Sequence, residues 1–186
     1  DKVFPGPSER HLRYGTLEAD TWSNEIVAES NDTGDLTQPY DDPATEASLA
    51  LDSSDRPAVA ALYESRVATG SLAFTELRYY ERDADGWSTA TVASEVDGFA
   101  GGDGTGFTGA DPSLRFDAGD RPHVVFNDIS VWHTGNGMEH IYGQIRYAVR
   151  RGGCWETFTL LSQTGQIDSP DELHGLTAPR LSVAPE

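Results

Sequence analysis

An all-β fold of repeated strand units is predicted by three features of this 186-residue sequence. An aliphatic residue followed by Arg-Tyr recurs three times, and a tryptophan follows each copy at a constant distance. Apolar and polar residues alternate around each copy, as in half-buried strands. Glycine (19 residues) and proline (10) are frequent enough for many tight turns. The copies are Leu12-Arg13-Tyr14 before Trp22, Leu77-Arg78-Tyr79 before Trp87, and Ile145-Arg146-Tyr147 before Trp155.

Each copy predicts a hairpin. The tyrosine and the tryptophan are 8 positions apart in every copy, and successive copies are 65 and 68 residues apart. A strand carries the Arg-Tyr pair, a short turn follows, and a second strand rich in Thr, Val and Ile begins at the tryptophan. The predicted strands are 11–18 and 22–28, 76–82 and 87–93, and 144–150 and 155–161.

A second type of hairpin precedes two of these copies. Strands are predicted at 47–52 and 58–64, and again at 112–117 and 123–127. Both turns contain the same residues: Asp52 and Asp117 begin them, and Asp-Arg-Pro ends them. We expect the aspartates to brace these turns by side-chain to backbone hydrogen bonds. A third copy of the opening strand is predicted at 179–184.

One full unit therefore has four short antiparallel strands, which is typical of a β-propeller blade. Residues 1–30 then hold the end of a blade, 47–93 and 112–161 are complete blades, and 179–186 begin a further one. A solenoid of parallel coils is the alternative, but tight hairpins and a long period disfavour it. Since a closed propeller needs at least about four blades, we expect either a fragment of a six- to eight-bladed parent or several copies that complete a ring.

The composition excludes some partners. A net charge of −18 repels duplex nucleic acid and anionic lipid. No apolar run approaches the ~18 residues that a membrane-spanning helix needs. Cys154 is the only cysteine, so neither an intrachain disulfide nor a cysteine zinc site can form from this chain alone. Asp outnumbers Glu and Arg outnumbers Lys. This composition resembles that of proteins from salt-loving archaea, although a GC-rich genome also favours Arg.

The units resemble a family of secreted prokaryotic β-propeller repeats that read roughly P-S-L-x-x-D-x-x-G-x-P-H-V-x-Y, then L-R-Y and G-x-W. The matching residues in one unit are Pro112-Ser113-Leu114, Asp117, Arg121-Pro122-His123-Val124, Ile145-Arg146-Tyr147, Gly153 and Trp155. The resemblance implies an extracellular or cell-surface location. Related propellers include lectins, sialidase-like glycosidases and polysaccharide lyases, so the fold does not choose among them. The Asp-box of sialidases is absent.

A candidate site is expected on the face with the long connections. The predicted long loops between blades are 29–46, 94–111 and 162–178, and those within a blade are 65–73 and 128–143. Aromatic rings here could stack on a sugar, and His with Glu could bind a ligand or act as acid and base. A loop packed on its own aromatics is the alternative. The candidate residues are Trp132, His133, Glu139, His140 and Tyr142, joined by His174 from the next loop.

Two further expectations concern metals and the repeated tryptophans. Acidic, glycine-containing loops such as 101–104 could coordinate Ca²⁺, but no D-x-D-x-D-G loop is present, and solvated acidic loops are the alternative. No other cofactor is expected. A tryptophan at one position in every unit is predicted to pack between units rather than to bind sugar.

The preferred functional interpretation is a non-catalytic extracellular module that binds a protein or a glycan or builds a surface assembly. The remaining blades would come from the same parent chain or from other copies. The alternative is a carbohydrate-active enzyme, a glycosidase or a polysaccharide lyase, with acid–base groups among the same His, Glu and Tyr residues.

Overall fold

The computed structural model describes residues 11–30, 40–44, 46–66, 72–94, 105–133 and 139–167. In these ranges the chain forms eleven strands and no helix, so the all-β prediction is confirmed. Every strand pair is antiparallel. The strands are β1 (His11–Glu18), β2 (Thr21–Glu29), β3 (Tyr40–Asp42), β4 (Ala47–Leu51), β5 (Pro57–Arg66), β6 (Leu72–Asp83), β7 (Gly86–Ser94), β8 (Thr105–Phe116), β9 (Pro122–His133), β10 (Glu139–Arg151) and β11 (Cys154–Ile167).

The strands form three open sheets. Sheet 1 contains β1 and β2, sheet 2 contains β3 to β7, and sheet 3 has the order β11-β10-β9-β8. In sheet 2, β4, β5, β6 and β7 pair in sequence, as the repeat predicted for 47–93. Sheet 3 has the same meander order, as predicted for 112–161. The predicted strand 179–184 lies outside the described residues.

Sheet 2 lies between the other two sheets. Side chains alternate between the two faces of a strand, so Ala58 and Ala60 of β5 pack in one cluster with sheet 3. Val59 and Ala61 pack in the other cluster with sheet 1. Eight consecutive residues of β5 are therefore buried, which explains its nearly continuous apolar sequence.

The repeat is reproduced in its irregularities as well as in its strands. In each Arg-Tyr hairpin the register shifts between the aliphatic residue and the arginine. The extra residue on the partner strand is Val27, Val92 or Leu160, always five positions after the tryptophan. A bulge kept at one place bends each hairpin in the same way, so the three hairpins are structurally equivalent.

Two sets of predicted boundaries are wrong. Strand β3 falls within the predicted loop 29–46. It pairs with the end of β5 because β4 pairs only with residues 57–61 and leaves that edge of residues 64–66 open. In sheet 3, β8 begins at Thr105 and β11 ends at Ile167, so all four strands extend into the predicted loops 94–111, 128–143 and 162–178. Ladder pairing continues through Val131, where Thr105 and Ile141 are its partners.

Candidate functional site

The predicted ligand residues lie at the end of a long hairpin rather than in a loop. Trp132 and His133 end β9, and Glu139, His140 and Tyr142 begin β10. The backbone register pairs His133 with Glu139 and Trp132 with His140. The ladder therefore brings the backbones of these four residues together, and Tyr142 follows two positions later. His174 lies outside the described residues.

Below this end, the described side chains of sheet 3 form two separate hydrogen-bonded polar groups. Arg146 of the repeat signature donates to Asp128 at 3.0 Å and to Thr157 at 3.0 Å. Thr108 donates to the other oxygen of Asp128 at 3.2 Å, and Asn127 donates to Asp111 at 3.2 Å. The bonds to Asp128 and Thr157 fix Arg146 within its own sheet.

The corresponding end of sheet 2 uses the same arginine position differently. The Arg78 guanidinium lies 3.2 Å from the centre of the Tyr63 ring, and Glu76 accepts its Nε–H at 2.8 Å. Burial, with a hydrogen bond to Asp41, raises the pKa of Tyr63 to about 12. This phenol therefore stays protonated at physiological pH, which makes it a poor general base.

Two buried carboxylates also lie at this end of sheet 2. Asp42 and Glu64 are 2% and 5% exposed, and they are cross-strand partners on β3 and β5. Arg66 forms a salt bridge with Glu64. The short strand β3, which sequence reasoning missed, is what brings Asp42 here. The only signal for it is the acidic pair 41–42 near the end of a predicted loop.

The Asp-Arg-Pro turns behave as predicted. In the first turn, Asp52 accepts the N–H groups of Ser54 and Arg56 at 2.9 Å and the Arg56 Nε–H at 2.7 Å. In the second, Asp117 accepts from Gly119 and Arg121 with the same distances. The aspartates later in each turn have positive φ, 60° and 55°, which Asp tolerates better than most residues. Asp52 and Asp117 therefore brace their own turns, whereas the Asp120 carboxylate instead accepts from the N–H of Ser53, in the first turn, at 2.8 Å and lies 2.6 Å from its hydroxyl.

One chain of hydrogen bonds was not predicted as a site. His123 Nε2 lies 3.1 Å from Asp117 Oδ2, and its Nδ1 lies 2.5 Å from the Tyr147 hydroxyl. With Asp117 accepting the Nε2–H, Nδ1 accepts the hydroxyl proton of Tyr147. Both ring nitrogens of His123 are thus engaged inside the protein. Ala58 stands at the equivalent place in the other full unit, where Asp52 braces the turn without a histidine.

Two of the three repeated tryptophans, Trp87 and Trp155, join neighbouring sheets as predicted, whereas Trp22 is 71% exposed. Tyr14 of sheet 1 meets Trp87 of sheet 2 with ring centres 5.7 Å apart and planes at 66°. Tyr79 of sheet 2 meets Trp155 of sheet 3 at 5.1 Å and 65°. Both are edge-to-face contacts. One geometry at two boundaries means that one spatial relation connects sheet 1 to sheet 2 and sheet 2 to sheet 3.

Equivalent grooves accompany these contacts on the short-turn face. The groove between sheets 2 and 3, about 400 Å³, is lined by Tyr79, Glu81, Pro122 and Arg150. The groove between sheets 1 and 2, about 360 Å³, is lined by Tyr14, Thr16, Pro57 and Arg82 at the corresponding positions. An arginine crosses each groove to a carboxylate of the preceding sheet, Arg82 to Glu25 and Arg150 to Glu81, both at 2.7 Å. The arginines are thereby occupied by the protein itself.

Within the described ranges, no group of three or more His, Cys, Asp or Glu side chains could hold a metal ion. The proposed glycine-containing loop 101–104 is not among the described residues. Across the described ranges there is likewise no helix long and apolar enough to cross a membrane.

Comparisons with protein-family models, curated proteins and solved structures found no match.

Proposed function

We propose that this chain is a run of β-propeller blades that acts as a non-catalytic, extracellular binding module for a protein or a glycan. The observation that carries the proposal is the repeated boundary. The same edge-to-face Tyr–Trp contact, followed by the same kind of Arg–carboxylate bridge, joins each sheet to the next. Blades arranged about one axis require such a constant relation between neighbours.

The proposed ligand site is the extended end of sheet 3. Trp132, His133, Glu139, His140 and Tyr142 lie where β9 and β10 run past the length of the other hairpins, and His174 is proposed to join them. Among the described residues, β8 and β11 also extend further towards this end than their counterparts β4 and β7 in sheet 2, and repeat packing does not need such an extension. A local addition of aromatic and polar residues to a rigid scaffold is typical of recognition.

Binding is favoured over catalysis by the state of the neighbouring polar groups. Asp128, Arg146 and Thr157 of the same sheet are hydrogen-bonded to one another. A catalytic acid or base needs a pKa near the working pH and access to the substrate. Groups that already hydrogen-bond to one another support a rigid framework for ligand recognition rather than acid–base catalysis.

A glycan array and a pull-down from extracellular protein extracts test the proposal. Wild type is compared with the double variant Trp132→Ala/His140→Ala, with Ca²⁺ and with EDTA, because we also propose that the acidic loops can bind calcium. We expect a ligand whose binding falls at least about tenfold in the double variant, as for the loss of an aromatic anchor. Thr21→Ala, at the exposed first residue of β2 in sheet 1, is the matched control and binds normally.

Two outcomes contradict the proposal. Equal ligand binding by wild type and the double variant would place the site elsewhere. Turnover of a polysaccharide by wild type, lost in His140→Ala, would establish the carbohydrate-active enzyme instead.

A further inference from the structure

Among the described residues, sheets 1 and 3 each carry one half of the repeated Tyr–Trp boundary without a partner ring from another sheet. Sheet 1 turns Tyr14 towards sheet 2, so Trp22 and its cross-strand partner Leu17 lie on the opposite side, together with Ile26. All three are exposed, Trp22 by 71%. We call this surface the tryptophan face. Trp87 and Trp155, at the equivalent positions, are instead packed against tyrosines.

Sheet 3 presents the complementary half. Its Trp155 and Ala148 pack towards sheet 2, so Tyr147, next to Ala148, belongs to the other side. Phe158, the cross-strand partner of Tyr147, lies there and is exposed. Tyr147 is the repeat equivalent of Tyr14 and Tyr79. Its described ring contacts are with His123 and Phe158 of its own sheet. We call this surface the tyrosine face.

The residue at the bulge position is covered by a neighbouring sheet in sheets 1 and 2 but not on the tyrosine face of sheet 3. Val27 and Val92 are 8% and 6% exposed because the next sheet covers them. Leu160, at the same bulge position in sheet 3, is 60% exposed, and Leu161 beside it is also exposed. Apolar side chains left in water forgo the hydrophobic stabilisation that burial provides. A further sheet of the same kind would cover them.

We propose that a second copy of this chain docks its tryptophan face onto the tyrosine face, placing Trp22 of one copy edge-on to Tyr147 of the other. The inference rests on the proposed blade arrangement and deepens it. Its support is continuity with a boundary that the chain forms twice internally, with ring centres 5.7 and 5.1 Å apart. Since the two faces differ, the contact is head-to-tail, and repetition leads to a ring when the rotation closes.

Sedimentation velocity of the full chain over a range of concentrations tests this inference. We expect mass-action growth from monomer to a discrete assembly. Trp22→Ala and Leu160→Glu should each remain monomeric at concentrations where wild type assembles. Thr21→Ala and Ser162→Glu, neighbouring exposed positions on the other side of the same sheets, are the matched controls and should assemble. Far-UV circular dichroism verifies folding, and Leu161→Glu replaces Leu160→Glu if that variant does not fold.

Mixing the two variants tests the head-to-tail geometry. Trp22→Ala keeps an intact tyrosine face, and Leu160→Glu keeps an intact tryptophan face, so the mixture should form heterodimers through one productive contact. Wild type that stays monomeric, or assembly that persists in both single variants, would overturn the inference. A monomeric chain that still binds ligand through β9 and β10 would overturn this inference alone and leave the proposed function standing.

Discussion

At the residue scale, the most consequential group is the Asp117 carboxylate. Burial by itself would raise its pKa, but hydrogen bonds from the backbone and side chain of Arg121, from His123 and from Gly119 outweigh burial. The pKa of Asp117 in the folded protein is therefore well below the usual value of about 3.9. The charged form is the one that the fold needs, because it anchors both the turn and the His123–Tyr147 pair.

A pH prediction follows from this direction. A carboxyl with a lowered folded-state pKa contributes stability above its unfolded pKa and loses it as pH falls towards the folded value. We expect Asp117→Asn to lower the free energy of unfolding at pH 7 by about 1–2 kcal/mol, since charge-assisted bonds are replaced by neutral ones. The difference should shrink below about pH 4. Urea unfolding at several pH values measures both effects.

The control for this prediction is Asp55→Asn in the other turn. Asp55 has φ of 60°, a conformation that Asn also tolerates, so its stability should change little. A pH-independent loss in Asp117→Asn would mean that the ionised carboxylate is not the stabilising species.

Among the elements, the close approach of β8 to β6 explains one glycine. Gly109 has φ of 103°, and a Cβ there would lie 2.8 Å from both Cα and Cβ of Leu77. We expect Gly109→Ala to cost about 3 kcal/mol or more, the sum of positive-φ strain and a backbone clash between sheets. Gly86→Ala is the matched control, because Gly86 also has positive φ (124°) but nothing lies within 4 Å. Thermal unfolding of the two variants separates strain from clash; equal losses would show that the clash relaxes freely.

The equivalent tryptophans give a second prediction at this scale. Trp155→Ala removes the edge-to-face contact with Tyr79 and opens a cavity at the boundary of sheets 2 and 3. We expect a loss of about 3 kcal/mol. Trp22→Ala, at the same repeat position but 71% exposed, should cost less than about 1 kcal/mol in protein diluted to the monomer. Chemical denaturation measures both. Similar losses would contradict the boundary role.

At the scale of the whole molecule, the excess of negative charge determines how salt affects the stability of the fold. The chain has 31 Asp and Glu against 13 Lys and Arg, so most carboxylates have no cationic partner even if every basic residue forms a pair. Repulsion among the surplus destabilises the compact state and is screened by salt. Salt also weakens the Arg–carboxylate bridges between sheets, but exposed pairs contribute only about 0–1 kcal/mol each.

We therefore expect the melting temperature to rise as NaCl increases from low concentration to about 1 M, where the screening length is about 3 Å. The sign follows from the surplus of unpaired carboxylates over bridges. Differential scanning calorimetry measures the shift, and sucrose at equal osmolality controls for solvent exclusion. A fall in melting temperature with NaCl would show that the bridges outweigh the general repulsion.

The sequence by itself determined the repeat and the strands within it. Alternation around the Arg-Tyr signature, turn residues such as Asp52 and Asp117, and the constant spacing to tryptophan are local signals. Local signals specify hairpins and their turns. The inter-sheet role of Trp87 and Trp155 was also predictable from their fixed place in the repeat, but the exposure of Trp22 at the same place was not.

Only the tertiary structure decided which of the equivalent repeat positions are buried and which are exposed. Leu160 and Val92 occupy the same bulge, yet one is exposed and the other is covered by a neighbouring sheet. Strand β3 pairs with a backbone edge of β5 that lies far away in the sequence. The extended strands of sheet 3 go on pairing beyond polar residues that had indicated loops. The physical reason is that edge pairing and face burial depend on which partner a strand meets in space, and the pattern of a single strand does not contain that information.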